Sequence, residues 1–267
     1  MDHARSTLTT VALAGLTVAG AIFGPRLGSP DPAIMMVILF SSLTSSIAGF
    51  AFSAICGGIL FHLWDDHVRV VQIMIACSIA NQATMVWSLR AVIPWRSVAV
   101  FVLGGIGGAP LGAWTLLHLD HARFGQAIGG FLLVYGTFLA LARSRPIRLE
   151  NRWADAVIGC SGGMAGAAAA LPSLPLTIWC QLRGLDKTAQ RAIVQPFILA
   201  MQIVSFGLIA LLDPHPVGGL NAADLCCIPA GLFGTQIGMG CYRGLSDRQF
   251  AVAVSALMIV CGLAFVL

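Results

Sequence analysis

This sequence has few charged residues. Only 10% of its 267 residues are charged, whereas soluble domains average about 25%, so most of its surface cannot face water. Lysine and arginine number 15 together, yet lysine occurs only once, at Lys187. These cations lie almost wholly between apolar segments, which indicates membrane topology and lipid contact. We therefore expect no nucleic-acid partner.

Patterns for metal binding and catalysis are also missing. The eight cysteines form no CxxC pair, and no histidines stand at zinc-ligand spacing, so we predict no metal, no cofactor and buried apolar cysteines. Gly159-Cys160-Ser161-Gly162 fits the GxSG of rhomboid-type intramembrane proteases, but only the loop residue His215 follows it as a candidate base. We therefore predict that the chain is not an enzyme.

What the sequence does contain is apolar segments long enough to cross a bilayer. Hydrophobic residues make up 58% of the chain, and a span needs about 20 helical residues. The segments are continuous and do not alternate, so helices are favoured over strands. We predict an all-α, multi-pass protein of the bacterial cytoplasmic membrane. The segments cover residues 7–24, 33–63, 68–87, 97–117, 122–143, 153–182, 189–212, 222–242 and 247–267.

The chain also repeats itself. Glycine, leucine and phenylalanine positions recur 126 residues later, and an upstream set recurs after 120 residues. We predict one membrane unit over 33–145 and a second over 146–267, a common transporter design. The segment 7–24 within residues 1–32 is either a signal peptide or an extra helix, and we favour the helix. The paired positions are Gly105, Gly108, Gly112, Leu119, Phe124 and Gly136 with Gly231, Gly234, Gly238, Leu245, Phe250 and Gly262, and Asp66, Ala80 and Gln82 with Asp186, Ala200 and Gln202.

Each unit opens with an apolar segment of about 30 residues, too long for one helix and too short for two crossings. Phe52 to Gly58 is predicted to break the first segment, and Leu171 to Pro175 the second. If both segments return to their starting side as helical hairpins, the two units are inverted. Twelve cations then share one side, which fits the positive-inside rule. Those twelve are Arg5, Arg90, Arg96, Arg143, Arg145, Arg148, Arg152, Arg183, Lys187, Arg191, Arg243 and Arg248. The opposite side would carry only Arg26, Arg69 and Arg123.

Small and polar residues inside the apolar segments divide into two groups. Glycines four apart at Gly104, Gly108 and Gly112, and at Gly234 and Gly238, are expected to pack helices closely. Gln82 and Gln202 recur at equivalent places and would face the axis between the units. Paired breaks are the best sequence pointer to a transporter's site. The candidate substrate-binding residues are Ser53, Cys56, Gly57, Gln82, Ser173, Gln195 and Gln202.

With these features in place, the chain resembles the TauE/SafE family of sulfite and sulfonate-related exporters over residues 35 to 267. The resemblance implies two homologous membrane-embedded halves and transport of small sulfur oxyanions. At the first break the sequence departs from the GxGGG-type cluster of many members, which leaves the substrate open. The resemblance rests on Gly49, Cys56-Gly57-Gly58, Trp87-Ser88-Leu89-Arg90, the stretch from Gly104 to Gly112, Arg183-Gly184-Leu185, Gln190-Arg191-Ala192 and Gln195-Pro196-Phe197.

The predicted function is export of a small sulfur-containing anion. Half-helix N-termini at the breaks present free N–H groups and can hold an anion without a buried cation. No carboxylate or histidine lies deep in an apolar segment, so a route driven by membrane potential is favoured over proton coupling. Uptake of small anions and a non-transporting subunit remain alternatives. The expected partners are the anion, the lipid bilayer and, as an open possibility, a second copy of the chain.

Overall fold

The computed structural model describes five continuous parts of the chain, and every regular element within them is a helix. These parts are residues 32–48, 52–63, 67–118, 151–212 and 224–242, with isolated positions between 126 and 137 and between 249 and 263. The helices are α1 (Pro32–Ala48), α2 (Phe52–Leu63), α3 (His67–Leu89), α4 (Trp95–His118), α5 (Arg152–Ala169), α6 (Ser173–Leu182), α7 (Lys187–Leu212) and α8 (Cys227–Tyr242), with a 3-10 turn at Asp224–Cys226 before α8.

Several predictions fall elsewhere in the chain. The segment 7–24, the loop 143–150 and most of segments 122–143 and 247–267 lie outside the described residues. The all-α prediction is confirmed for the parts described.

Within the described parts of the chain, three helices are long and apolar enough to cross a membrane, namely Val68–Leu89, Trp95–His118 and Thr188–Leu212. Their outward faces carry exposed apolar side chains. On α4 the exposed Trp95 and Trp114 are separated by about 28 Å of helix, close to the roughly 30 Å of a hydrocarbon core. Tryptophan is enriched at both membrane interfaces, so this spacing fits a membrane-spanning helix.

The second long apolar segment breaks where the sequence predicts. Helix α5 ends at Ala169, and Ala170 takes the left-handed conformation with φ 57°, which a side chain makes unfavourable. Pro172 follows and α6 begins at Ser173. Pro175 lies in the first turn of α6, where its missing N–H is not needed for a helical bond. The predicted interruption is therefore confirmed, although it is shorter than expected.

The prediction for the first long segment is wrong in its position. Residues Phe52 to Gly58 do not break the segment, because α2 runs without interruption from Phe52 to Leu63. Helix α1 ends at Ala48 and α2 begins at Phe52, and residues 49–51 are not described. Glycine lowers helix preference by only about 1 kcal/mol, against about 3 for proline. Gly57 and Gly58 are buried in α2, and packing offsets that cost.

The glycine helices pack as predicted. Helix α4 lies along α5, where a methyl group on Gly104 or Gly108 would overlap the carbonyl oxygen of Ala156 or Cys160. The residue numbers of the contacts increase together along both helices, so the two helices run in the same direction. The same holds for α8 on α1, where Gly234 meets Leu39 and Gly238 meets Leu43. In both pairs the absence of a side chain permits the approach of two backbones.

The directions of the remaining helices follow from side-chain contacts. Helix α7 runs along α4 in the same direction, because Phe101 contacts Phe197 and Gly105 faces Met201. Helix α3 packs on α7 and runs the opposite way, since Leu89 at its end and Thr188 at the start of α7 line one cavity. We name this the cavity end of the bundle.

The two arms of the second broken segment lie side by side. The Asp155 carboxylate near the start of α5 accepts hydrogen bonds from Trp179 Nε1 at 2.7 Å and Arg183 Nη1 at 3.2 Å near the end of α6. Residues 152–183 therefore begin and end at the same level, next to the start of α7.

Candidate functional site

A cavity of about 250 Å³ opens where α3, α7 and α8 meet. Its lining mixes apolar side chains with hydroxyl, amide and guanidinium groups. Helix α3 contributes Met85, Ser88 and Leu89, α7 contributes Thr188, Arg191 and Gln195, and α8 contributes Met239.

Arg191 supplies positive charge to this cavity. It is the fifth residue of α7 and only 8% exposed. Its Nη2 donates a hydrogen bond of 2.7 Å to the carbonyl oxygen of Ser46 in the last turn of α1. The guanidinium has five N–H donors, and its Nε makes no hydrogen bond within the described residues. Arg191 was counted among the topological charges and belongs to a motif that carries the resemblance, but its burial was not predicted; its position inside an apolar segment was the available signal.

Polar side chains continue from the cavity along one face of α7. Gln195 lies one helical turn after Arg191 and also lines the cavity. Gln202 follows two turns later and is 1% exposed. Arg191 and Gln202 are about 16 Å apart along the helix axis. The arrangement extends polar groups from the cavity into the protein interior.

Gln202 ties the break between α5 and α6 to α3. Its amide nitrogen donates to the Ala170 carbonyl oxygen at 3.2 Å and to Ser78 Oγ at 3.3 Å. Both amide hydrogens are thereby used, and the side-chain oxygen of Gln202 has no hydrogen-bond partner among the described residues. Gln202 was predicted to donate to substrate, whereas here it positions the break. Donation to an anion would require it to exchange one of these bonds.

The partner glutamine, Gln82, lies on α3 one turn beyond Ser78. It is buried, and its side-chain oxygen has no hydrogen-bond partner within the described parts of the chain. The preceding Asn81 donates from Nδ2 to Ser42 Oγ on α1 at 2.9 Å. The two predicted glutamines thus occupy the two central helices that pack on each other.

The serines of α1 were missed by the sequence analysis. Four of them are buried, and Ser46 Oγ donates to the Ser42 carbonyl oxygen of its own helix at 2.7 Å. Hydroxyl groups that bond within a helix give little sign of their depth in the sequence. These buried residues are Ser41, Ser42, Ser45 and Ser46.

The other predicted residues do not reach the cavity. Ser53, Cys56 and Gly57 are buried within α2, so they lie on a helix and not in the predicted break. Ser173 is buried at the start of α6, a terminus whose N-cap residue Pro172 makes no side-chain capping bond. Of the seven predicted residues, only Gln195 lines the cavity.

Other chemistry considered from the sequence has a local explanation. Ser161 of the GxSG match donates from Oγ to the Ile158 carbonyl oxygen at 2.8 Å, within its own helix. In the described ranges, no group of three or more His, Cys, Asp and Glu side chains is arranged to hold a metal ion.

Comparison with known proteins supplies one match. A family model described as Sulfite exporter TauE/SafE matches residues 34–265, which include the cavity and both breaks. No curated protein and no solved structure matches the chain. The resemblance predicted from the sequence is confirmed.

Proposed function

Since the chain belongs to the TauE/SafE sulfite exporter family, we propose that it exports a small sulfur-containing anion, sulfite or a sulfonate, across the cytoplasmic membrane. The family consists of membrane transporters for sulfite and related anions, and the apolar helices of this chain fit that class. Family membership alone does not fix the substrate or the direction of transport, and both are part of this proposal.

The halves are inverted relative to each other, and each opens with a hairpin of two short helices. The opposite directions of α3 and α7, which correspond in the sequence repeat, support this. The bonds from Trp179 and Arg183 to Asp155 support a return of the second hairpin to its starting side. With twelve cations on the side of Arg90 and Lys187, the cavity end faces the cytoplasm.

This arrangement makes a specific prediction about sidedness. Cysteines introduced at Arg148 and Lys187 should be labelled by an impermeant reagent from the same, cytoplasmic side, although an apolar segment of about 30 residues separates them. Labelling from opposite sides would refute the hairpin.

The observation that carries the proposal is the line of polar groups on α7. It begins at Arg191 in the cavity, continues at Gln195 and ends at Gln202, which contacts the break at Ala170. The N-terminus of α6 starts just beyond this break, and its free N–H groups carry about half a positive charge. An anion entering the cavity therefore meets donors at successive depths.

Electrostatics favours export over accumulation. With the inside negative, one anionic charge moving outward gains about 2.3 kcal/mol per 100 mV, which is roughly a fortyfold gradient. Asp155 and Asp224 are buried, but Arg183 and Arg69 pair with them, and neither carboxylate lines the cavity. Export therefore needs no coupled ion, whereas uptake against the potential would need one.

The test is flux through purified protein in liposomes loaded with sulfite, taurine, methanesulfonate or sulfate. We expect efflux of sulfite or a sulfonate well above that of protein-free liposomes, together with stabilisation of the detergent-solubilised protein by the transported anion. Movement of none of these anions would contradict the proposal. Stabilisation without flux would favour the non-transporting subunit.

A further inference from the structure

The position of Arg191 is unfavourable for two physical reasons. A positive charge in the first turns of a helix meets the positive end of the helix dipole, and Arg191 lies at the fifth position of α7. It is also 8% exposed, and a buried charge is costly unless other groups compensate it. Positions that break local rules in this way are expected at functional sites.

A structural role accounts for part of this placement. The bond from Arg191 Nη2 to the Ser46 carbonyl oxygen satisfies one of the carbonyls left unbonded at the end of a helix. That bond alone does not require a guanidinium, because a lysine ammonium is also a hydrogen-bond donor. Arg191 also lines a cavity, which the capping bond does not explain.

The cavity around Arg191 has the composition of an anion site. Its other polar lining groups are the hydroxyls of Ser88 and Thr188 and the amide of Gln195, and no carboxylate is among the described lining residues. A volume of about 250 Å³ lies below the 300 to 1,000 Å³ usual for drug-sized ligands. The site therefore suits a small anion.

We propose that Arg191 is the specificity-determining residue of an entry site for small oxyanions, which binds the substrate before it moves toward Gln202. This rests on the proposed function for the choice of a sulfur anion. A guanidinium offers parallel N–H donors that match two oxygens of one anionic group. Sulfite and sulfonates present such oxygens, whereas halides do not. Gln195, one turn deeper, is the next donor.

The first test replaces the charge. Arg191→Gln should weaken the binding of sulfite and methanesulfonate, measured by titration calorimetry on purified protein, by about tenfold or more, the usual loss for a charge-assisted hydrogen bond. Arg191→Lys should lose less, because the charge remains. Arg90→Gln is the control: Arg90 is exposed at the same end and stacks over Trp87, and its removal should change affinity less than twofold.

A second pair of variants leaves Arg191 and its bond to Ser46 intact. Ser88 is exposed at the cavity, so Ser88→Glu and Ser88→Gln introduce side chains of nearly equal shape that differ in charge. The carboxylate should raise the KM for sulfite efflux at least tenfold over the amide, with a smaller change in kcat. This comparison decides the matter even if Arg191→Gln does not fold.

Two results overturn the proposal. They are unchanged anion affinity in folded Arg191→Gln, and equal KM values in Ser88→Glu and Ser88→Gln. If the wild-type protein transports sulfite and either result is found, the assignment of Arg191 to an entry site is wrong, while the proposed function stands. If the wild-type protein neither binds nor moves any sulfur anion, the proposed function itself fails.

Discussion

Two partly buried ion pairs in the described residues lie at opposite ends of the bundle and connect different parts of the chain. Arg69 near the start of α3 pairs with Asp224, just before α8, at 3.0 Å. Arg183 pairs with Asp155 at 3.2 Å, at the end of the second broken segment. The first pair connects the two predicted halves, whereas the second connects two arms within one half.

The difference indicates which contact must change during transport. Arg69 lies about 30 Å along α3 from Leu89 at the cavity end. The ion pair Arg69–Asp224 therefore closes the end opposite the cavity, and separation of the halves at that end would have to break it. The pair Asp155–Arg183 joins α5 to the end of α6 and can remain intact if these two helices move together. We interpret the structure as a conformation that is open at the cavity end.

The largest effect should come from Asp224→Asn. The Asp224 side chain has 0% exposure and that of Arg69 has 28%, so the variant removes a charged partner from a partly buried guanidinium. We expect a loss of about 3 kcal/mol in unfolding free energy, measured by SDS titration in mixed micelles. The double variant Arg69→Gln/Asp224→Asn should recover part of it. Wild-type stability in Asp224→Asn would show that the pair does not hold the halves together.

A smaller effect is expected for Asp155→Asn. Its carboxylate and Arg183 have 11% and 19% exposed side chains, and asparagine can still accept the bond from Trp179. The same titration should show a loss of about 1 kcal/mol. The KM for sulfite efflux should stay unchanged, because this pair does not need to break. A clear change in the KM of Asp155→Asn would show that this pair takes part in transport.

Between the two ends, Gln82→Ala and Gln202→Ala should affect stability least. A membrane-interior hydrogen bond contributes on average about 0.6 kcal/mol, so both variants should accumulate. Gln202→Ala should cost more, because it frees the Ala170 carbonyl and Ser78. We expect slower initial efflux per molecule of protein in both variants. Wild-type rates in both would remove these glutamines from the transport route.

The sequence predicted features that depend on local chemistry. Prolines at 172 and 175 and the regular spacing of Gly104, Gly108 and Gly112 have direct structural consequences, so the second break and the close packing of the glycine-bearing helices were predicted correctly. The pairing of α4 with α5 was not predicted. The first break was misplaced because Gly57 and Gly58 only weaken a helix, and tertiary packing decided the outcome.

The features that could not be predicted from the sequence depend on long-range contacts. Arg69 and Asp224 are 155 positions apart, and Arg191 and Ser46 are 145 apart, and nothing in the local pattern pairs them. An arginine near the start of an apolar segment is equally consistent with a lipid-facing position, so Arg191 was not predicted as a binding residue. Depth and partner are set by helix packing, and the candidate site was therefore predicted only in part.

The most direct test of the account is the response of transport to membrane potential. In liposomes containing the purified protein, a potassium diffusion potential that is negative inside should accelerate sulfite efflux and slow its uptake, while a pH gradient at zero potential should drive no uphill movement. Protein-free liposomes control for permeation of protonated substrate through the lipid. Uphill sulfite movement driven by the pH gradient alone, absent from those controls, would contradict potential-driven export.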